Sequence, residues 1–303
     1  MKARIIGVIP PIVTPFDQQS KVDEEGLRKL TRHLLDANVH GLAPCGSTGE
    51  FALMTMAERK RVTEIVNREV DGKIPVIEGV TAVSVNEAVE LAEHAKQLGL
   101  AAVLAAPSYY YKLQEDELEE YFGKIAKVDI PIILYNNPST TKTDMSPELI
   151  TKLATEYDNI QYVKESTGDI NRVNEIKQLG NRIEVICGWD TLIYDFLCHG
   201  IKSWIATVSN VIPRECVKLV TLASNERFTE ARDLFYSLLP IIKAIDSPKF
   251  VQATKTALNL QGHPCGLPRS PLLPLNEEES RKLKEALATL NNPTPLTKPV
   301  PAS

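Results

Sequence analysis

A chain of 303 residues can bury a large core, either as one barrel domain or as two ordinary domains. With 43% apolar and 24% charged residues, its composition excludes disordered, fibrous and membrane classes. The net charge of -5 supplies no basic face for nucleic acid and no polycationic membrane anchor, so a small-molecule partner is favoured.

At the N-terminus, Lys2 and Arg4 precede an apolar run, but Pro10, Pro11 and Pro15 break it before it reaches the length of a secretory signal. No stretch approaches the roughly 20 apolar residues of a membrane span, and a cytoplasmic protein is expected. Cys45, Cys187, Cys198, Cys216 and Cys265 are scattered and odd in number, with no CxxC pair. They read as reduced thiols, forming neither a disulfide framework nor a zinc site.

From there, short apolar or β-branched runs alternate with longer amphipathic segments, the pattern of a parallel sheet connected by helices. The runs are Gly7 to Val13, Gly41 to Cys45, Val76 to Val80, Ala102 to Ala106, Ile132 to Tyr135, Ile160 to Lys164, Ile183 to Cys187 and Trp204 to Thr207. Helical periodicity marks Glu24 to Asn38, Met56 to Glu69, Asn86 to Leu98, Glu115 to Ala126, Pro147 to Tyr157, Ile170 to Leu179 and Leu192 to His199. Ser84, Ser146 and Asp169 stand at helix starts, with Pro147 at a first helical position. Gly99 and Gly180 fall just past helix ends, where a left-handed residue is often needed.

Eight strand–helix units are the number that closes a (β/α)8 TIM barrel. The competing doubly wound open sheet would normally carry a glycine-rich turn after its first strand, where this chain has Thr14, Pro15, Phe16 and Asp17. After Thr207 only helices are predicted: Pro213 to Ser224, Phe228 to Ile245, Pro248 to Leu260 and Glu277 to Leu290. The expected organisation is a barrel over 1–210, a C-terminal helical extension over 211–290 packed on it, and a proline-rich, poorly ordered tail over 291–303.

In a barrel the reactive side chains stand at the carboxyl ends of strands and on the loops that follow. The sixth run ends in Lys164. An amine held at the barrel mouth loses water, which favours the neutral nucleophile that attacks a ketone; the alternative is a surface lysine paired with Glu165. The fifth run ends in Tyr135, one strand away, either a proton carrier for such an amine or an aromatic at the core edge. After the second run, Gly46, Ser47, Thr48, Gly49 and Glu50 form either an anion cup of hydroxyls and backbone amides, suited to a carboxylate, or a tight loop bonding to itself. Lysine, tyrosine and cup on one edge of one barrel make a single site the simplest reading.

These residues carry a resemblance. Gly46-Ser47-Thr48-Gly49-Glu50, Leu134-Tyr135-Asn136-Asn137-Pro138 and Val163-Lys164-Glu165-Ser166-Thr167-Gly168, in that order, resemble the dihydrodipicolinate synthase and N-acetylneuraminate lyase family of class I aldolases, over Gly7 to Leu290. The resemblance implies that Lys164 is the Schiff-base lysine, that Tyr135 is the proton relay, that Ser47 and Thr48 hold a pyruvate carboxylate and that Ile205 lines the pocket. It implies that Tyr109 reaches into a neighbouring subunit's site, within a homotetramer built as a dimer of dimers. Two departures stand out. Ser139, Thr140 and Thr141 occupy the place where the synthases usually carry an arginine for a second substrate carboxylate, and a hydroxyl cannot replace that bidentate fork. The cup carries Ser47 where the synthases commonly have threonine.

Trp189 either narrows the distal pocket or packs at a helix start, and Asp190 reads as a helix cap. The iminium is itself the electron sink, so neither metal nor cofactor is expected. The leading expectation is a Schiff-base-forming lyase or aldolase acting on pyruvate or a related 2-oxo acid such as a sugar-derived one. The alternatives are dihydrodipicolinate synthase proper, condensing pyruvate with aspartate semialdehyde, and a non-catalytic 2-oxo-acid sensor.

Overall fold

The computed structural model describes residues 4–290; the tail expected over 291–303 lies outside them. The strands are β1 (Gly7–Ile9), β2 (Ile77–Gly79), β3 (Ala102–Ala105), β4 (Ile132–Asn136), β5 (Ile160–Glu165), β6 (Glu184–Cys187) and β7 (Ser203–Ile205). The helices around and beside them are α1 (Glu24–Asp36), α2 (Met56–Val70), α3 (Val85–Gln97), α4 (Glu115–Ala126), the single turn α5 (Pro138–Thr141), α6 (Pro147–Glu156), α7 (Asn171–Gln178) and α8 (Ile193–Cys198). Four more follow without further strands: α9 (Pro213–Ser224), α10 (Phe228–Ile245), α11 (Phe250–Leu260) and α12 (Glu277–Ala288).

All ladders are parallel, in the order β1-β7-β6-β5-β4-β3-β2. The gap between β1 and β2 is filled by the second predicted run. Its backbone makes one bridge, Leu42 to Val76, and so does not count as a strand. It nevertheless bonds on both sides: the His40 and Ala43 amides donate to Val8 and Pro10 carbonyls, and the Ile77 and Gly79 amides donate to Leu42 and Pro44 carbonyls. The barrel is therefore closed, with eight positions and seven regular strands. Prolines explain the difference. Pro10, Pro11 and Pro44 have no N–H to give a ladder, which shortens β1 to Gly7–Ile9 and leaves the second run irregular.

Side chains alternate across each strand with period 2. One face fills the barrel with Ile9, Ile77, Leu104, Ile133, Ile186 and Ile205. The other face, with residues such as Val103, Leu134 and Val163, packs under the helices. Ser146 caps its helix, Oγ accepting from the Leu149 amide, while Asp169 stands one residue ahead of the cap position Ile170 and accepts from the Asn171 amide at 2.9 Å. The Ser84 side chain, by contrast, makes no cap bond. Gly99 ends its helix at φ +71°. In the C-terminal region, α9 lies against β1, α10 against α9 and α12, and α11 against α12. No described helix is long and apolar enough to cross a membrane.

Candidate active site

Period 2 decides which way the strand ends point. Tyr135 follows Ile133 into the barrel, and Lys164 follows Tyr162. The parallel register places Tyr135 directly beside Lys164, whose Nζ sits 4.1 Å from the centre of the phenol ring. Lys164 is only 6% exposed and forms no ion pair among the described residues. Glu165 points to the opposite face, where it accepts from Asn136 Nδ2 at 3.1 Å and from the Thr167 amide at 2.7 Å. Burial pushes its carboxyl above the usual range. The surface pairing of Lys164 with Glu165 is thus ruled out by strand geometry.

Lys164 opens into a mouth cavity of about 560 Å³ that also takes in Ser47, Thr48, Tyr135, Thr140 and Trp189. Three of the remaining walls were not singled out from sequence. Asn137 Nδ2 donates to the Tyr135 hydroxyl at 2.8 Å, and Ser139 Oγ fixes that amide by donating to its Oδ1 at 2.7 Å. Because the hydroxyl accepts from Asn137, its own proton is left for the cavity. Thr207, at the end of the last unit, shares a hydroxyl contact of 3.2 Å with Thr48. Phe250, from α11, closes the far side. Asn137 was within reach of sequence reasoning, since it follows Tyr135 by two residues; Phe250 lies far along the chain and carried no such signal.

Asp190 does not cap the helical turn it begins, whose cap position is Trp189. Its carboxylate is buried, accepts from Trp204 Nε1 and from the Val208 amide at 2.9 Å each, and lines the cavity. Burial pushes it up to about 7. Trp189 both lines the cavity and packs over Gly168, whose missing Cβ leaves room for the indole. Ile205 departs from expectation: it is part of the barrel interior, buried among Tyr135, Ile186 and Ile9, and is not among the cavity walls. The strand ends there, and the next residues with side chains at the mouth are Thr207 and those after it.

A second chamber of about 340 Å³ adjoins the first, sharing Ser47, Tyr135, Thr140 and Phe250 and extending past Phe51 to Leu272. Tyr109 lines this chamber of its own chain, edge-on to Phe51 at 6.0 Å. Its neighbours Tyr110 and Tyr111 are the exposed rings, at 72% and 69%. Lys164 is the one basic side chain among the described walls of both chambers.

An inward lysine beside a tyrosine, facing a hydroxyl-bearing cup, is the outfit of an imine-forming enzyme, and comparison with known proteins agrees. The model of the Dihydrodipicolinate synthetase family matches residues 4–290. The chain belongs to that family. A 4-hydroxy-tetrahydrodipicolinate synthase of Methanopyrus kandleri is 39% identical, over 96% of this chain and 98% of its own. The crystal structure of dihydrodipicolinate synthase from Aquifex aeolicus superposes with a TM-score of 0.90 at 35% identity, covering 95% and 99% of the two chains. A prophage protein of the same family from E. coli, solved in complex with pyruvate, superposes with a TM-score of 0.90 at 30% identity, covering 95% and 99%. As a dihydrodipicolinate synthetase family member, the chain is a lyase of the class I aldolase type, built on the TIM barrel expected from its repeats.

Proposed function

We propose that Lys164 attacks the ketone carbon of pyruvate or a close 2-oxo acid, with the substrate carboxylate held by Ser47 and Thr48. Water leaves the carbinolamine to give an iminium, and Tyr135 passes the protons these steps release and require. Loss of a proton from the neighbouring carbon gives an enamine, which adds to an aldehyde. The observation that carries this reading is the side-by-side, inward placement of Tyr135 and Lys164 in a cavity shared with Ser47 and Thr48.

For the second substrate, the relatives' names favour aspartate semialdehyde and the 4-hydroxy-tetrahydrodipicolinate synthase reaction. One observation favours another reading, a pyruvate-dependent lyase on a sugar-derived 2-oxo acid: the cavity offers no arginine for a second carboxylate. Coupled turnover of pyruvate with aspartate semialdehyde tests the first; no detectable product, together with pyruvate release from a sugar-derived 2-oxo acid, selects the second. Turnover that vanishes in Lys164→Ala excludes a mere sensor.

Tyr109, beside the exposed Tyr110 and Tyr111, is the residue proposed to reach a neighbouring subunit's site, and a homotetramer is the assembly proposed. Sedimentation equilibrium at a monomer mass would overturn it. A cytoplasmic location is proposed with it, checked by cell fractionation.

A further inference from the structure

Inside the wall behind the cup lies an ion pair that the chemistry above does not use. Glu50 closes the Gly46–Glu50 loop in a left-handed conformation, φ 59°, lines the second chamber, and carries a fully buried side chain. There Lys255, from the middle of α11, brings its ammonium to 2.6 Å from Glu50 Oε1; the side chains are 1% and 0% exposed. Each partner also makes contacts beyond the pair. Glu50 Oε2 accepts from the Arg269 amide at 2.7 Å, Lys255 Nζ donates to the Leu267 carbonyl at 3.1 Å, and the ammonium lies 4.2 Å from the centre of the Phe16 ring.

Such a pair is costly to bury, and well-packed apolar residues could hold a loop against a helix as well or better. What apolar packing does not supply is direction. Glu50 also ties back into the loop through its own amide, which donates to the Ser47 carbonyl at 3.1 Å, while Thr14 Oγ1 donates to the Gly49 carbonyl at 2.7 Å. The next residues of α11 toward its start, Phe250 to Gln252, form cavity wall. One buried carboxylate therefore connects the loop that carries Ser47 and Thr48 to the helix that supplies another part of the wall.

We infer that the Glu50–Lys255 pair is a positioning device that holds the Ser47–Thr48 cup at the correct distance from Lys164, making the C-terminal helices part of the substrate site. The inference rests on the imine reading, so its test reads imine formation directly rather than turnover. Lys255→Met leaves Glu50 charged and unpartnered; Glu50→Gln with Lys255→Met removes both charges at similar volume, which buried pairs often tolerate. For each, thermal unfolding is recorded, and the pyruvate concentration giving half-maximal borohydride adduct on Lys164 is found by mass spectrometry.

The double variant is expected to unfold close to the parent temperature yet need about tenfold more pyruvate or above, since small misplacements of a binding group are expensive. A folded variant of either kind with the parent's half-saturation overturns the inference. Should neither fold, hydrogen exchange on the unaltered protein decides. Trapping pyruvate should then slow exchange in residues 253–269 as well as in the cup, and protection confined to the cup overturns the coupling. Absence of any adduct in the parent protein with any 2-oxo acid sinks the imine reading instead, so the two failures are distinct.

Discussion

At Lys164 the proposed chemistry reduces to one nitrogen. Lys164→Ala is expected to abolish the borohydride adduct and to lower kcat by about 10³-fold or more, as expected for loss of a covalent nucleophile. Peptide mass mapping should place the adduct on Lys164 in the parent; an adduct on another lysine contradicts the assignment. Tyr135→Phe keeps the ring beneath the amine but removes the hydroxyl that accepts from Asn137. It should lower kcat by about 10² to 10⁴-fold while the adduct still forms, because proton transfer is lost and the nucleophile is kept. Single-turnover kinetics separates those two effects. Both residues were legible from sequence because each ends a strand-like run in a chain of repeated units. Asp190 was misjudged there as a simple cap, because its partners Trp204 and Val208 come from the next unit.

At the level of elements, the packing of β5 against β6 sets the space around the amine. A Cβ at Gly188 would stand 2.0 Å from Ser166 Oγ, 2.8 Å from Lys164 Cε and 2.8 Å from the Glu165 carbonyl oxygen. The two side chains can give way, but the backbone oxygen cannot, so Gly188→Ala should displace the end of β5. Adduct formation is expected to slow by about 10²-fold, as for a reacting group moved by the order of an ångström; an unchanged trapping rate would show that the strand end has room to move. A local feature behaves differently. Thr55 and Glu58 form a reciprocal capping box at the start of α2. Thr55→Ala should cost about 1 kcal/mol in urea unfolding and leave imine formation alone. The helices themselves were readable because their apolar faces repeat at helical spacing. The second barrel position was readable as an apolar run but not as an irregular one, since its regularity depends on which neighbours lack N–H groups.

For the molecule as a whole, pH enters through burial. Asp190 is raised from 3.8 to about 7 by burial, so the folded state keeps a proton that the unfolded chain releases over that interval. Its contribution to stability is complete below about pH 4 and is lost as pH climbs to about 7. Asp190→Asn should therefore flatten the fall in melting temperature between about pH 4 and about pH 7; an identical slope in the variant rules this linkage out.

The sequence by itself determined the barrel and put Lys164 and Tyr135 at strand ends of one mouth, because strand and helix periods are local and a barrel puts its chemistry at strand ends. Tertiary structure decided the rest. It set Ile205 inside rather than at the cavity, placed Tyr109 edge-on to Phe51 in a second chamber, and joined Glu50 to Lys255 across 205 positions of sequence. Contacts between residues so far apart depend on how whole layers pack, and no local pattern of side chains records that.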